Sequence, residues 1–170
     1  MRLSQFFILL ITFLIIFSCS SSDDSNPNEE FNMVGVWQGV AVDFDTSTVV
    51  EIAGEQIPVI CEGEGFDVDF LITFTDAPNA YSANGTFSVL NECTLIGEQV
   101  QEDLEVFGDG SWVYENGNLS MTENGETIIV DVEIISNDRI ILEFEEEIVL
   151  EEGPISANGM VDIEIELSRL

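Results

Sequence analysis

Lysine and histidine are absent from this 170-residue chain, and its three arginines face 34 acids, for a net charge of −31. A nucleic-acid partner needs a basic footprint for its phosphates, so that class is excluded. Adhesion to anionic lipid headgroups is excluded for the same reason. The bases that usually activate a serine or cysteine nucleophile are missing too. An enzyme would have to use a carboxylate pair in a cleft, as glycosidases do, and the dispersed acids mark no such pair. The expectation is a protein that is not an enzyme and carries no cofactor.

Long apolar runs are equally scarce. The longest, 6–17, is broken at Thr12, whereas a membrane-spanning helix needs roughly 20 apolar residues. It follows the short leader Met1-Arg2-Leu3-Ser4-Gln5 and has the length of a signal peptide's apolar segment. The run ends in Ile16-Phe17-Ser18-Cys19, and Ser20-Ser21-Ser22-Asp23-Asp24 follow at once. A small residue before a cysteine at this boundary resembles the lipobox of bacterial lipoproteins. The resemblance implies acylation of the Cys19 thiol and cleavage before it, so that Cys19 heads the mature chain. Several acyl chains hold a protein to a bilayer far more firmly than one, which binds only marginally. Cleavage also removes Arg2 and leaves Arg139 and Arg169 as the cations.

Residues 19–30 are dominated by Ser, Asp, Asn, Pro and Glu, too polar to bury a core and suited to a flexible tether. Ser22-Asp23-Asp24 is similar to the acidic export signals of lipoproteins in the Bacteroidetes group, which reach the outer face of the outer membrane. Ser20 stands where an inner-membrane retention signal would have Asp. The expected organisation is a lipoprotein signal peptide over 1–18, a flexible acidic tether over 19–30 and one domain over 31–170. The expected location is the cell envelope, as an outer-membrane lipoprotein exposed at the surface or otherwise facing the periplasm.

Cysteine is sparse, with three in the chain. With Cys19 acylated, Cys61 and Cys93 remain in a compartment that permits disulfides. A bridge between them would close a loop of about thirty residues, worth roughly 3–4 kcal/mol in the chain-entropy model. A structural bridge is expected over reactive thiols, because no base is present to form a thiolate.

What the domain has in quantity is a period of two. Phe66, Val68, Phe70, Ile72 and Phe74 share one face of an alternating run; Ile128, Val130, Val132 and Ile134 repeat it. Ile140, Leu142 and Phe144 do so against Glu143 and Glu145, as do Val161, Ile163, Ile165 and Leu167 against Asp162, Glu164 and Glu166. Such strands put one face in a core and the other in water. Outward acids then keep the protein soluble. The pairs Asp43/Asp45, Glu62/Glu64 and Asp67/Asp69 raise calcium binding, but none matches the spaced ligands of an EF-hand, and no metal is assigned.

Asn-Gly occurs at Asn84-Gly85, Asn116-Gly117, Asn124-Gly125 and Asn158-Gly159, and Asn137-Asp138 separates two alternating runs. Asn-Gly tolerates the positive φ of two-residue hairpin turns, so at least two of these are expected as tight hairpins, with Asn116-Gly117 and Asn124-Gly125 the strongest. About nine strands follow, at 34–44, 49–52 with 56–60, 66–75, 81–89, part of 95–107, 111–115, 119–122, 127–136, 139–150 and 159–167. An all-β chain of consecutive antiparallel strands hides its edges in an up-and-down β-barrel of about eight to nine strands or, alternatively, in a β-sandwich.

Gly35-Val36-Trp37, at the head of the first strand, resembles the Gly-x-Trp signature that opens lipocalins. Gly85-Thr86-Phe87, 110–114, 117–122 and 134–142 are similar to the hairpin succession of lipocalin-like domains in Bacteroidetes lipoproteins. The resemblance implies an eight-stranded barrel with Trp37 at its closed end, covered by an arginine from near the last strand, here Arg169. The other usual motifs are missing, and 49–65 looks like an extra hairpin or lid.

A barrel of eight strands is either filled by its own side chains or wide enough for one small ligand. Glu146 falls on the inward phase of the run from 140, and marks either a polar contact in a cavity or a bulge that shifts the register. Two functions follow as expectations. One is a lipid-anchored binding protein for a small apolar or amphipathic ligand; the other is a filled interaction module that meets a protein or glycan partner through its exterior.

Overall fold

The computed structural model describes residues 31–170 apart from Ala53, Ile96, Gly153 and Pro154. Cys19 and the tether over 19–30 lie outside the described residues. Alternation along the domain resolves into nine strands: β1 (Gly35–Ile52), β2 (Glu55–Asp76), β3 (Asn79–Cys93), β4 (Gly97–Leu104), β5 (Asp109–Glu115), β6 (Asn118–Glu123), β7 (Glu126–Ser136), β8 (Arg139–Glu152) and β9 (Ile155–Arg169). They form a single antiparallel sheet in the order β2-β1-β9-β8-β7-β6-β5-β3-β4, and an additional β2–β3 pairing closes it into a barrel-like ring.

The nine strands occupy eight positions around that ring. β4 pairs with β3 over Phe87–Cys93 and β5 pairs with it at 80–82, so β4 and β5 run end to end as one interrupted strand. Hydrogen-bonded neighbours on all sides at the base satisfy the backbone groups that an open edge would leave unpaired.

Two turns are set by their residues. Asn116 and Gly117 have φ of 54° and 87°, and Asn124 and Gly125 have 52° and 91°, the pair of positive values that a two-residue hairpin with right-twisted strands requires. The other two Asn-Gly pairs lie inside strands. Gly85 in β3 has φ of 104°, and a Cβ there would overlap the Asp69 carbonyl oxygen and approach the Phe70 Cα. It faces the register shift between Phe66 and Asp69 in β2, where Asp67 has φ of 50°. That bulge divides the face expected to run from Phe66 to Phe74. Phe70, Ile72 and Phe74 are buried, while Phe66 is turned outward.

β1 and β2 are longer than the sequence pattern indicated. They pair almost continuously from Gly35↔Phe74 to Ile52↔Glu55, with one irregularity between Gln38 and Asp43. Residues 49–65 are therefore not a separate hairpin or lid; they are the far ends of these two strands. The alternation is hidden there for a physical reason. Thr46, Thr48 and Gly63 occupy positions where alternation would call for large apolar side chains.

Core burial is graded along the strands. On β1 Trp37 and Val42 are fully buried, but Phe44, Thr46, Thr48 and Val50 on the same phase are only half-buried. On β8 Ile140 and Leu142 are sealed, Phe144 slightly less so, and Glu146 is exposed. Among the described residues, burial is complete at one end of the ring and falls towards the other.

Candidate ligand-binding site

The sealed end is built around Trp37. Its ring is fully buried, and its Nε1 donates to the Met33 carbonyl at 2.8 Å. Phe31 packs against Trp37 and, edge-on, against Tyr114 at 5.6 Å between centroids. Arg169, opposite Trp37 in the β1–β9 pairing, places its guanidinium carbon 4.3 Å from the ring centroid. Its nitrogens donate to the carbonyls of Val34 at 2.7 Å, Asn137 at 3.2 Å and Asn32, and Asp138 lies 3.7 Å away. A Cβ at Gly35 would sit 2.8 Å from Arg169 Nη1, and Gly35 has φ of 144°. Glycine, tryptophan and arginine thus form one device: glycine admits the guanidinium, which covers the indole and ties the entering segment to the last strand.

Above this base is an aromatic layer. Phe87 stacks on Phe44 with centroids 5.9 Å apart and meets Phe70 edge-on at 6.2 Å, while Phe107 packs on Phe144 at 5.6 Å. Room for these rings comes from small residues. A Cβ on Gly39 would overlap the Phe70 ring, and one on Gly63 would press on Phe44, Val89 and Asn91.

Beyond the aromatic layer the interior opens into a cup of about 560 Å³. Phe44, Val59, Val89, Leu104, Val161 and Ile163 supply most of its apolar wall, and Thr46, Thr48, Asn91 and Gln101 add neutral polar groups. Volume and lining fit a small-molecule site, which is concave, mostly apolar and supplied with a few polar groups.

The topology explains why the cup is open. β6 and β7 turn back at Asn124-Gly125, and β7 pairs with β8 only as far as Asp131↔Glu143. β4 pairs with β3 and with no other strand. In the upper half the wall is therefore β4-β3-β2-β1-β9-β8, with an unpaired edge at each end and a slot between them. A second hollow of about 430 Å³ lies beside that slot, lined by Tyr81, Met121 and Ile128 together with Glu105, Glu123 and Glu126. Glu123 also accepts the Gly108 backbone N–H at 3.0 Å. Burial first, then Glu123 and Asp109, raises the Tyr81 phenol above its usual range.

Glu146 lines both the cup and the side hollow. The β8–β9 register is unbroken from Arg139↔Ser168 to Glu152↔Ile155, and Glu146 faces Val161, so the bulge expected as one explanation of its phase is not there. Glu146 keeps the phase of Ile140, Leu142 and Phe144 along β8. Glu146 was legible from the sequence as the carboxylate that breaks an apolar phase. Thr46, Thr48, Asn91 and Gln101 were not, because an isolated polar residue on a strand has no phase of its own.

Cys61 and Cys93 face each other across β2 and β3 with Cα atoms 4.0 Å apart and are bonded at 2.07 Å. Both line the cup. The bridge fastens its rim where β3 turns into β4.

The acids of β1, β7, β8 and β9 gather on the outer surface, where Asp43, Asp45, Asp131, Glu143, Asp162 and Glu164 border a shallow groove. Glu164 is pushed upward from its usual range by desolvation and then by Glu143, Asp43, Glu133 and Glu166. Arg139 reaches Glu166 at 2.5 Å. Among the described residues no three such side chains converge as a metal's ligands would. Compared with protein-family models, curated proteins and solved structures, the chain matches none.

Proposed function

We propose that this is a lipid-anchored, lipocalin-like binding protein of the cell envelope, held through Cys19 and carrying one small, largely apolar molecule in the cup. The observation that carries the reading is the contrast between the two halves of the ring. Trp37, Ile140, Leu142 and Leu167 are wholly buried at the base, whereas Thr46, Thr48 and Val50 line an interior that none of the described side chains fills. A domain selected only to fold would gain by filling that space, since each buried methylene contributes about 0.8 kcal/mol. A filled module that meets a protein or glycan through its exterior has less support, because its interior would be packed throughout.

Anchoring rests on the sequence around Cys19, with the tether over 19–30 holding the domain off the membrane. The same reading makes the protein a carrier or sensor with no catalytic role. It is tested by titrating the chain with an apolar fluorophore such as N-phenyl-1-naphthylamine, in parallel with a Thr46→Trp variant that places an indole inside the cup. One site per chain, lost in the variant while the domain stays folded, supports the proposal. Equal binding by both would place the fluorophore elsewhere and remove its main support.

A further inference from the structure

The charge inventory of the cup restricts what it can hold. Among the described residues Glu146 is the one ionisable group on its lining apart from the bridged cysteines. The two cations among the described residues are at the other end of the barrel. Arg139 stands seven residues before Glu146 on β8, roughly 23 Å along the strand, and is paired with Glu166. Arg169 is committed to Trp37 and the base carbonyls. At physiological ionic strength fields fade over about 8 Å, so neither arginine offsets a negative charge in the cup.

An anionic headgroup entering here would meet Glu146, and Glu105, Glu123 and Glu126 beside the slot, with no donor cation. Burying an unpaired charge is costly. A neutral polar group has Thr46, Thr48, Asn91 and Gln101 to bond with, and an ammonium has Glu146 in addition.

We infer that the cup is selective for uncharged and amine-bearing apolar molecules and rejects carboxylates and phosphates, with Glu146 receiving the ammonium. This rests on the cup being a ligand site. The apolar chain of such a molecule lies against Phe44, Val89, Val161 and Ile163, and its head points to the mouth, where Glu146 stands between the cup and the side hollow.

The test is competition of n-decylamine, n-decanol and n-decanoate against a bound apolar fluorophore. It uses the full chain carrying Cys19→Ser, purified without detergent. The amine is expected to bind tighter than the alcohol by about fivefold, the upper end of what one exposed ion pair supplies, and decanoate to bind most weakly. Glu146→Gln brings the amine down to the alcohol and leaves the alcohol unchanged, and Glu145→Gln, on the outer face, changes neither. Decanoate binding as well as decanol overturns the inference. So does an equal loss of amine binding in Glu145→Gln, since the net charge of the whole chain would then be the cause. If none of the three competes, the cup reading fails and takes the inference with it.

Discussion

The Arg169 guanidinium lies 4.3 Å from the centroid of the Trp37 ring, joining the last strand to the first. Its hydrogen bonds to the carbonyls of Val34 and Asn137 make it the fastening of the closed end. Removing it leaves those carbonyls without a donor and uncovers the indole. Arg169→Ala is expected to lower stability by about 2–3 kcal/mol, the sum of a partly desolvated cation–π contact and the lost bonds. Arg169→Lys should recover little, because an ammonium cannot span several carbonyls as the guanidinium fork does. Denaturant midpoints, followed by the fluorescence of the buried Trp37 and Trp112, measure both.

The Cys61–Cys93 bridge joins positions 32 apart. Reducing it, or replacing both residues by alanine, should lower stability by roughly 3–4 kcal/mol through the freed unfolded chain. Because both cysteines line the cup, apolar-probe affinity should fall as well while the base stays native. Denaturation with and without reductant, paired with probe titration, separates the two effects. A large loss of stability with undiminished affinity would mean that the rim is held by the β2–β3 ladder alone.

Gly85 and Gly117 provide a contrast between glycines. Gly85 has φ of 104° and a neighbouring backbone that leaves no room for a Cβ, whereas Gly117 has φ of 87° with open space around it. Gly117→Ala should cost about 1 kcal/mol for the strained backbone alone. Gly85→Ala should cost about 3 kcal/mol, since β2 must shift as well. Thermal melts of the two variants decide it, and similar losses would contradict the close approach at Asp69.

The same contrast marks how far the sequence could be read. Asn116-Gly117 and Asn124-Gly125 were legible as turns because each separates two alternating runs. Asn84-Gly85 and Asn158-Gly159 carry the same signal but lie within strands, where glycine admits a neighbouring strand; a Cβ on Gly159 would overlap Thr48. Local sequence does not distinguish these two uses. Gly35, Trp37 and Arg169 were brought together only by the lipocalin resemblance, since periodicity does not couple the first strand to the last. The ends of β1 and β2 were not legible, because a cup wall replaces large apolar side chains with Thr46, Thr48 and Gly63, and so erases the periodicity by which strands are recognised. The pattern fades where small and polar residues face inward.

The acidic exterior gives a pH dependence with a definite sign. Ionising Glu164 costs more in the folded chain than in the unfolded one, because desolvation, Glu143 and Asp43 oppose it. The folded state therefore holds more protons between the usual value of 4.5 and the raised one. Stability from this group is complete below that window and is lost as pH rises through the folded pKa. Glu164→Gln should therefore raise the melting temperature at pH 7 and confer no advantage below pH 4.5. Added salt should shrink the difference, since the site is exposed and screened. Melting curves of both proteins across that range, at low and high salt, check the sign.

The central claim is that the cup holds a molecule, and the most direct measurement is native mass spectrometry of the protein purified from its own host. The account predicts a stoichiometric small adduct, uncharged or amine-bearing, that is absent from the Thr46→Trp variant prepared in the same way. A protein that is reproducibly free of any adduct, or an adduct retained by Thr46→Trp, would contradict it.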